Sequence, residues 1–429
     1  MNNNKSLFGE EILYTKLENN LDVFYMPKKG FTKKFAVLST NYGSNDLSFV
    51  TADGRTIHLN HGIAHFLEHK MFEQPDESDA FGVFAQFGAN ANAYTNFNIT
   101  SYLFSTTDNF YEALEHLVSY VSQPHFTDEN VKKEQGIIGQ EIKMYDDNSD
   151  WRLFFNTLKA MYVNHPNRID IAGTVETINR ITKEELYECY RAFYSPSNMA
   201  MFVIGDLDWD EILETIKKVP MPDYMQGKKI ERLTVEEPNR VAEKRVVNEM
   251  EVSIPMFSIG HKDRWYGEIG GAPLLKKNVE TDIIMSCLFR KGSDLNEYLY
   301  ENQLIFEALN CEYNAHNDHG YSIISGESRE IDKVHQKIRE CIEEAKRNGI
   351  DKEVFERIKK AKLGSFVRGF DSIEGVANSF LNYYFSDIHS FDIYEAIRSV
   401  TLEDVNKRLQ EHFDEEMEVI SIVNPIESR

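Results

Sequence analysis

A charged run over 228–244, preceded by Pro220 and Pro222, interrupts the chain near its middle, and the stretches on either side repeat the same broad order of strand and helix patterns. At 429 residues the chain exceeds what a single hydrophobic core usually serves, and proline with clustered charge marks exposed connections. The reading is a domain over 1–225, a linker over 226–245 and a second domain over 246–429. The 28 Phe, 21 Tyr and hydrophobic fraction of 41% suffice to fill two such cores and argue against disorder.

Apolar runs in the first half predict strands over 21–26, 36–40, 91–95, 100–105 and 199–204, the first two separated by a turn at 27–30. Helical periodicity predicts helices over 57–72, 107–121, 128–145, 150–162, 183–194 and 209–218. Thr127 reads as the N-cap of the third of these, and Asp128 and Glu129 complement the helix dipole. The second half shows strands at 252–259, 320–324 and 419–423, with helices at 280–288, 299–309, 334–348 and 352–383, the last divided by Gly364, Gly369 and Gly375. Helices packed on sheets in two units make an α+β chain.

The helix predicted over 57–72 carries His65-Phe66-Leu67-Glu68-His69. Histidines spaced this way lie about one turn apart on one face, so both imidazoles can approach a single zinc ion. Glu68 can point at a water on that ion, taking its proton and later passing it to the leaving nitrogen of an amide. It is therefore read as general base and acid, outside the ligand set. The bland alternative is a helix presenting ordinary polar residues, and two histidines alone do not make a catalytic site. A third protein ligand has to come from elsewhere. Glu134 and Glu141 lie about two turns apart on one face of the helix over 128–145. One of them fits as a ligand and the other as an outer carboxylate orienting a histidine; otherwise both face solvent, as most glutamates do. His61 reads as an exposed or capping residue, and His58, His165, His316 and His319 lack ligand spacing.

The net charge of −23 opposes nonspecific nucleic-acid binding. No window is apolar enough to span a membrane, and the polar start Met1-Asn-Asn-Asn-Lys5-Ser6 is unlike a secretory leader. Cys189, Cys287, Cys311 and Cys341 show no C-x-x-C spacing, which argues against a disulfide scaffold or thiolate zinc cluster and fits a cytoplasmic location.

Taken together, several segments resemble the inverzincin M16 peptidases. They are His65-Phe-Leu-Glu68-His69, the Glu134 and Glu141 pair, Gly88-Ala-Asn-Ala-Asn92-Ala93-Tyr94-Thr95, His165-Pro166, Gly173-Thr174 and Tyr194-Ser-Pro196-Ser-Asn198-Met199. Asp53-Gly54, Gly136-Ile-Ile-Gly-Gln-Glu141-Ile-Lys-Met-Tyr-Asp-Asp147 and Asp150-Trp-Arg-Leu-Phe are most similar to the bacterial YmfH-like (M16B) branch. The resemblance implies two similar M16-type (LuxS/MPP-like) domains, each an antiparallel or mixed sheet covered by helices. It implies zinc held by His65, His69 and Glu141, with Glu68 as catalytic base and Glu134 in support. The strand bearing Asn92 and Ala93 would pair with an extended peptide by edge-strand addition. Four such units enclose a chamber in this family, and an Arg and Tyr pair from the C-terminal part faces the metal. Here Tyr298-Leu-Tyr-Glu-Asn-Gln-Leu-Ile305 lacks that arginine, which leaves Tyr321 on a later strand to face the cavity. The departure implies a heterodimer with a related, metal-less M16 subunit, with a homodimer as the alternative. The expected function is a zinc-dependent endopeptidase acting on peptides or unfolded segments. The alternatives are a nonproteolytic metallohydrolase and a noncatalytic or weakly active assembly subunit, associated with processing or with elongation factor P modification.

Overall fold

The computed structural model describes residues 5–51, 53–74, 79–228, 230–264 and 267–426. Residues 1–4 of the polar start and Lys229 of the charged run lie outside them. The first half builds a seven-stranded sheet in the spatial order Lys5–Leu7, Glu10–Lys16, Asp22–Pro27, Met199–Gly205, Lys34–Thr40, Thr100–Thr106, Asn90–Thr95. The second half builds a five-stranded sheet in the order Arg245–Met250, Glu418–Pro425, Met256–Lys262, Gly320–Glu327, Asn310–Ala315. The last five strands of the first sheet repeat the second sheet's connectivity. In both, the leading strand runs parallel to the next, and every later neighbour is antiparallel. The chain is thus two similar α+β domains. A short third sheet joins Ser48–Val50 to Thr56–His58 and to Glu231–Arg232 of the connecting segment.

Each sheet hides one face under helices of its own half and the other under a helix lent by the opposite half. Ser149–Met161 crosses to the second sheet, where Phe155, Leu158 and Met161 pack on Ile323 and Val419. Gly260 permits that approach, since a Cβ there would lie 2.5 Å from Met161 Cε. In return, Ile373–Tyr384 buries Ile373, Ala377, Phe380 and Leu381 against Phe24, Val37 and Phe202 of the first sheet. Full burial of each large side chain contributes about 1.5–3 kcal/mol, so the exchange binds the halves firmly.

Two expectations are corrected and one is refined. The helix over 57–72 shrinks to Ile63–Lys70, because Thr56–His58 pairs as a strand and Gly62 breaks the run at φ 88°. The helix over 352–383 is divided as expected, with the break at Gly369: the pieces are Lys352–Gly369 and Ile373–Tyr384, the second capped by Ser372. Tyr321 does not face a cavity: it is 1% exposed, packed among Phe154, Tyr162 and Ile323 where the lent helix meets the second sheet.

Candidate metal centre

Ile63–Lys70 is a short helix whose Ile63, Ala64, Phe66 and Leu67 anchor it in the first core, leaving the polar ring of His65, Glu68 and His69 to one side. It starts at Gly62 with no side-chain cap. The left-handed backbone there suits glycine, and a Cβ would stand 2.4 Å from the Ala172 carbonyl oxygen. Opposite runs Asp128–Asp146. At its start the Thr127 side chain accepts from the Asn130 N–H, and the Asn130 side chain accepts from the Thr127 N–H. Val131, Ile138 and Ile142 bury one stripe of this helix, so Glu134 and Glu141 face the histidines at a defined height.

The two helices bring one nitrogen of His65, one of His69 and an oxygen of Glu141 within 4.8 Å of one another. His65 Nε2 is 3.7 Å from Glu141 Oε1, and His69 Nε2 is 3.5 Å from Glu141 Oε2. Glu134 stands behind: its Oε1 is 3.1 Å from His69 Nδ1 and accepts that proton, turning the Nε2 lone pair toward Glu141. Glu134 Oε2 lies 3.7 Å from Nζ of Lys70, a fully buried ammonium also paired with Glu73. Glu68 stays out of the cluster and receives the Thr95 hydroxyl proton on Oε2 at 2.6 Å.

Electrostatics fits these residues to a divalent cation. Burial pushes His65 down to about 3, with His69 adding to the effect, so its imidazole is neutral and able to ligate. Burial alone would also lower His69, but the Glu134 hydrogen bond and the charges of Glu68, Glu134 and Glu141 overcome it and raise the pKa. Three carboxylates around two imidazoles make a site short of positive charge, and nitrogen and oxygen donors together suit zinc. The buried His65 Nδ1 has no hydrogen-bond partner among the described residues.

Two neighbours carried no role in the sequence reading. Tyr145 donates its hydroxyl to Glu141 Oε1 at 2.7 Å and stacks on Trp151, whose Nε1 donates to Asp170 at 2.6 Å. Its place one turn after Glu141 was the available signal. Thr95, at the end of the Gly88–Thr95 motif, has no role that sequence spacing alone reveals. Asn92 and Ala93 lie on Asn90–Thr95, the edge strand of the first sheet, where the Ala93 N–H donates to the Asn92 side-chain oxygen at 2.9 Å.

A second cluster, His165, Asp318 and His319, joins the two halves. His165 Nδ1 accepts the Asn167 N–H at 3.2 Å, so Nε2 carries the ring proton and donates to Asp318 at 3.2 Å. His319 Nδ1 approaches the other Asp318 oxygen at 2.8 Å. With these bonds the three side chains form a hydrogen-bonded bridge between the halves. His61 and His58 stay outside both clusters.

Compared with known proteins, residues 58–175 match the insulinase family (peptidase family M16) and residues 180–362 match the peptidase M16 inactive domain. The uncharacterized zinc protease YmfH of Bacillus subtilis (strain 168) is 42% identical over 404 residues, covering 94% of each chain. The crystal structure of an M16-like peptidase from Alicyclobacillus acidocaldarius superposes with a TM-score of 0.91 at 36% identity, over 98% of this chain and 100% of that one. A protease from Helicobacter pylori gives a TM-score of 0.83 over 97% and 100% of the two chains; at 20% identity it speaks to the fold alone.

Proposed function

Because the chain belongs to the M16 peptidase family, we propose that it is a zinc-dependent endopeptidase cleaving peptides or unfolded segments, with His65, His69 and Glu141 as ligands and Glu68 as general base. The observation that carries this reading is the convergence of those three donors beside a carboxylate held out of the ligand set. A purely structural metal site has no need of such a base next to an open position. When bound, zinc polarises the scissile carbonyl and acidifies the attacking water.

The chain's own groups divide the remaining work. Thr95 holds one oxygen of Glu68, which leaves the other to take the water proton and return it to the leaving nitrogen. Burial pushes the Glu68 carboxyl up to about 7, which suits a base working near neutral pH. Glu134 fixes the His69 tautomer and Tyr145 steadies Glu141. The open edge of Asn90–Thr95 can add an extended substrate strand, for which the backbone at Ala93 and the side chain of Asn92 are the contacts.

The reading includes the division at 226–245 and a second M16 subunit, metal-less or identical, that closes the chamber. Residues 180–362, which include much of the second half, match an inactive domain, and Tyr298 and Tyr300 are exposed at 43% and 61% on a segment without arginine. These same observations favour the second reading, a noncatalytic or weakly active assembly subunit. Among the described residues no helix is long and apolar enough to cross a membrane. The cytoplasmic setting in this reading rests on the four cysteines, which are free thiols.

The test is cleavage of a fluorogenic library of unstructured peptides by the zinc-loaded chain, alone and with a metal-less relative. The endopeptidase reading expects cleavage that chelation abolishes and zinc restores. Stoichiometric zinc with no cleavage in either preparation would leave the assembly reading.

A further inference from the structure

Three consecutive residues connect the second half of the chain to the proposed general base. Neighbours along a strand point to opposite sides, and the end of Asn90–Thr95 uses both. On one side Tyr94 donates its hydroxyl to Asn378 Oδ1 at 3.2 Å, and Asn96 Nδ2 donates to Asn382 Oδ1 at 3.2 Å. Between these two, Thr95 donates to Glu68 Oε2 at 2.6 Å. We propose that Thr95 is the positioning residue for Glu68, held in place by Asn378 and Asn382 from the second half of the chain. The proposal rests on the peptidase reading above and adds to it how the base is aimed.

Each part of the linkage is rigid. Asn378 and Asn382 lie one turn apart on Ile373–Tyr384, and each side-chain nitrogen donates to a carbonyl one turn back, Glu374 at 3.0 Å and Asn378 at 2.9 Å. Those bonds fix the amide orientation and leave Oδ1 to receive Tyr94 and Asn96. The helix itself is buried against the first sheet through Ile373, Ala377, Phe380 and Leu381. Asn96 is oriented further, because its Oδ1 accepts the N–H groups of Asn98 and Ile99, both at 2.8 Å.

A carboxylate free to rotate presents either oxygen to the water. Held by one oxygen, Glu68 presents the other from a single direction, and misplacement of a reacting group by about 1 Å costs up to about 100-fold in rate. Through Asn378 and Asn382 the second half of this chain therefore contributes to the rate of the chemical step.

Thr95→Val keeps the shape and the strand preference and removes only the hydroxyl. It is expected to lower kcat about 10- to 100-fold on a fluorogenic unstructured peptide, with KM and zinc affinity unchanged, while Thr95→Ser restores kcat. The double variant Asn378→Ala with Asn382→Ala should lower kcat in the same pattern by a smaller factor. Crystal structures of the zinc-loaded proteins give a readout independent of turnover: the Glu68 carboxylate should leave its single orientation in Thr95→Val and keep it in Thr95→Ser. Wild-type kcat in Thr95→Val, or an undisturbed Glu68 in its structure, overturns the positioning role. Absence of zinc-dependent cleavage by the wild type overturns the peptidase reading instead, and full cleavage by Glu68→Gln overturns the general-base assignment, so these failures are told apart from failure of the positioning role.

Discussion

Replacing Glu134 separates the work of the outer carboxylate from that of the ligands. Glu134 is 8% exposed and touches two groups, His69 Nδ1 at 3.1 Å and Lys70 Nζ at 3.7 Å. The first contact sets which nitrogen of His69 faces Glu141, and partners of this kind change metal affinity by about 10- to 100-fold, or about 1.4–2.8 kcal/mol. Glu134→Gln keeps an acceptor oxygen for His69 and loses the charge, so it belongs at the lower end of that range. Glu134→Ala loses both and leaves Lys70, fully buried, with Glu73 as its acidic partner, so it belongs at the upper end. One effect runs the other way. Glu134 helps raise the His69 pKa against the lowering by burial, and its removal weakens the competition of protons with zinc. Titration against a chromophoric zinc chelator at about pH 8, above the ordinary histidine range near 6.5, keeps that term small. Thermal unfolding of the metal-free proteins separates loss of affinity from loss of fold. Equal zinc Kd values for the wild type and both variants would refute the orienting role.

Three further outcomes follow from the same geometry. Burial pushes the Glu68 carboxyl up to about 7 despite the Thr95 hydrogen bond, and a base works only when deprotonated. The value of kcat/KM should therefore fall as pH drops through an ionisation no higher than about 7, since a bound cation lowers it further; a kcat/KM that rises as pH falls from about 8 to about 5 contradicts the assignment. Asp263→Asn should cost about 3–5 kcal/mol in urea unfolding, because this buried carboxylate pairs with Arg408, His412, Tyr313 and Lys277. Burial would raise that carboxyl, yet Arg408, His412 and Lys277 hold it well below the usual range, so its stabilisation is complete above about pH 4 and is lost as pH falls further. Gly62→Ala forces a left-handed residue and a Cβ at 2.4 Å from the Ala172 oxygen. It should lower both Tm and zinc occupancy, with at least about 1–2 kcal/mol lost; an unchanged Tm contradicts the strain.

Much of this was legible in the chain, and the misses have physical causes. The buried strand Met199–Gly205 and the amphipathic helix Trp209–Lys218 stand where periodicity puts them, since burial on both faces or on one stripe writes directly into residue choice. Arg245–Met250 has no clear sequence signal because its side chains are mostly exposed and carry no alternation; its partner Glu418–Pro425 defines it. Gly271–Leu288 begins with Gly271 and Pro273, which read as breakers, although proline in a first turn gives up no helical bond. The spacing of His65 and His69 is a local property and survives in the sequence. Thr95 meets Glu68 from 27 residues away, and Asn378 and Asn382 meet Tyr94 and Asn96 from 284 and 286 residues away, all through tertiary packing that no spacing encodes.

The central claim, that Glu68 is the base of a zinc-dependent peptidase, is tested most directly by measuring bound metal and peptide cleavage side by side in the wild type and Glu68→Gln. The account predicts equal zinc content in the two proteins and loss of at least about 100-fold in kcat for the variant. Equal zinc with equal cleavage would contradict it.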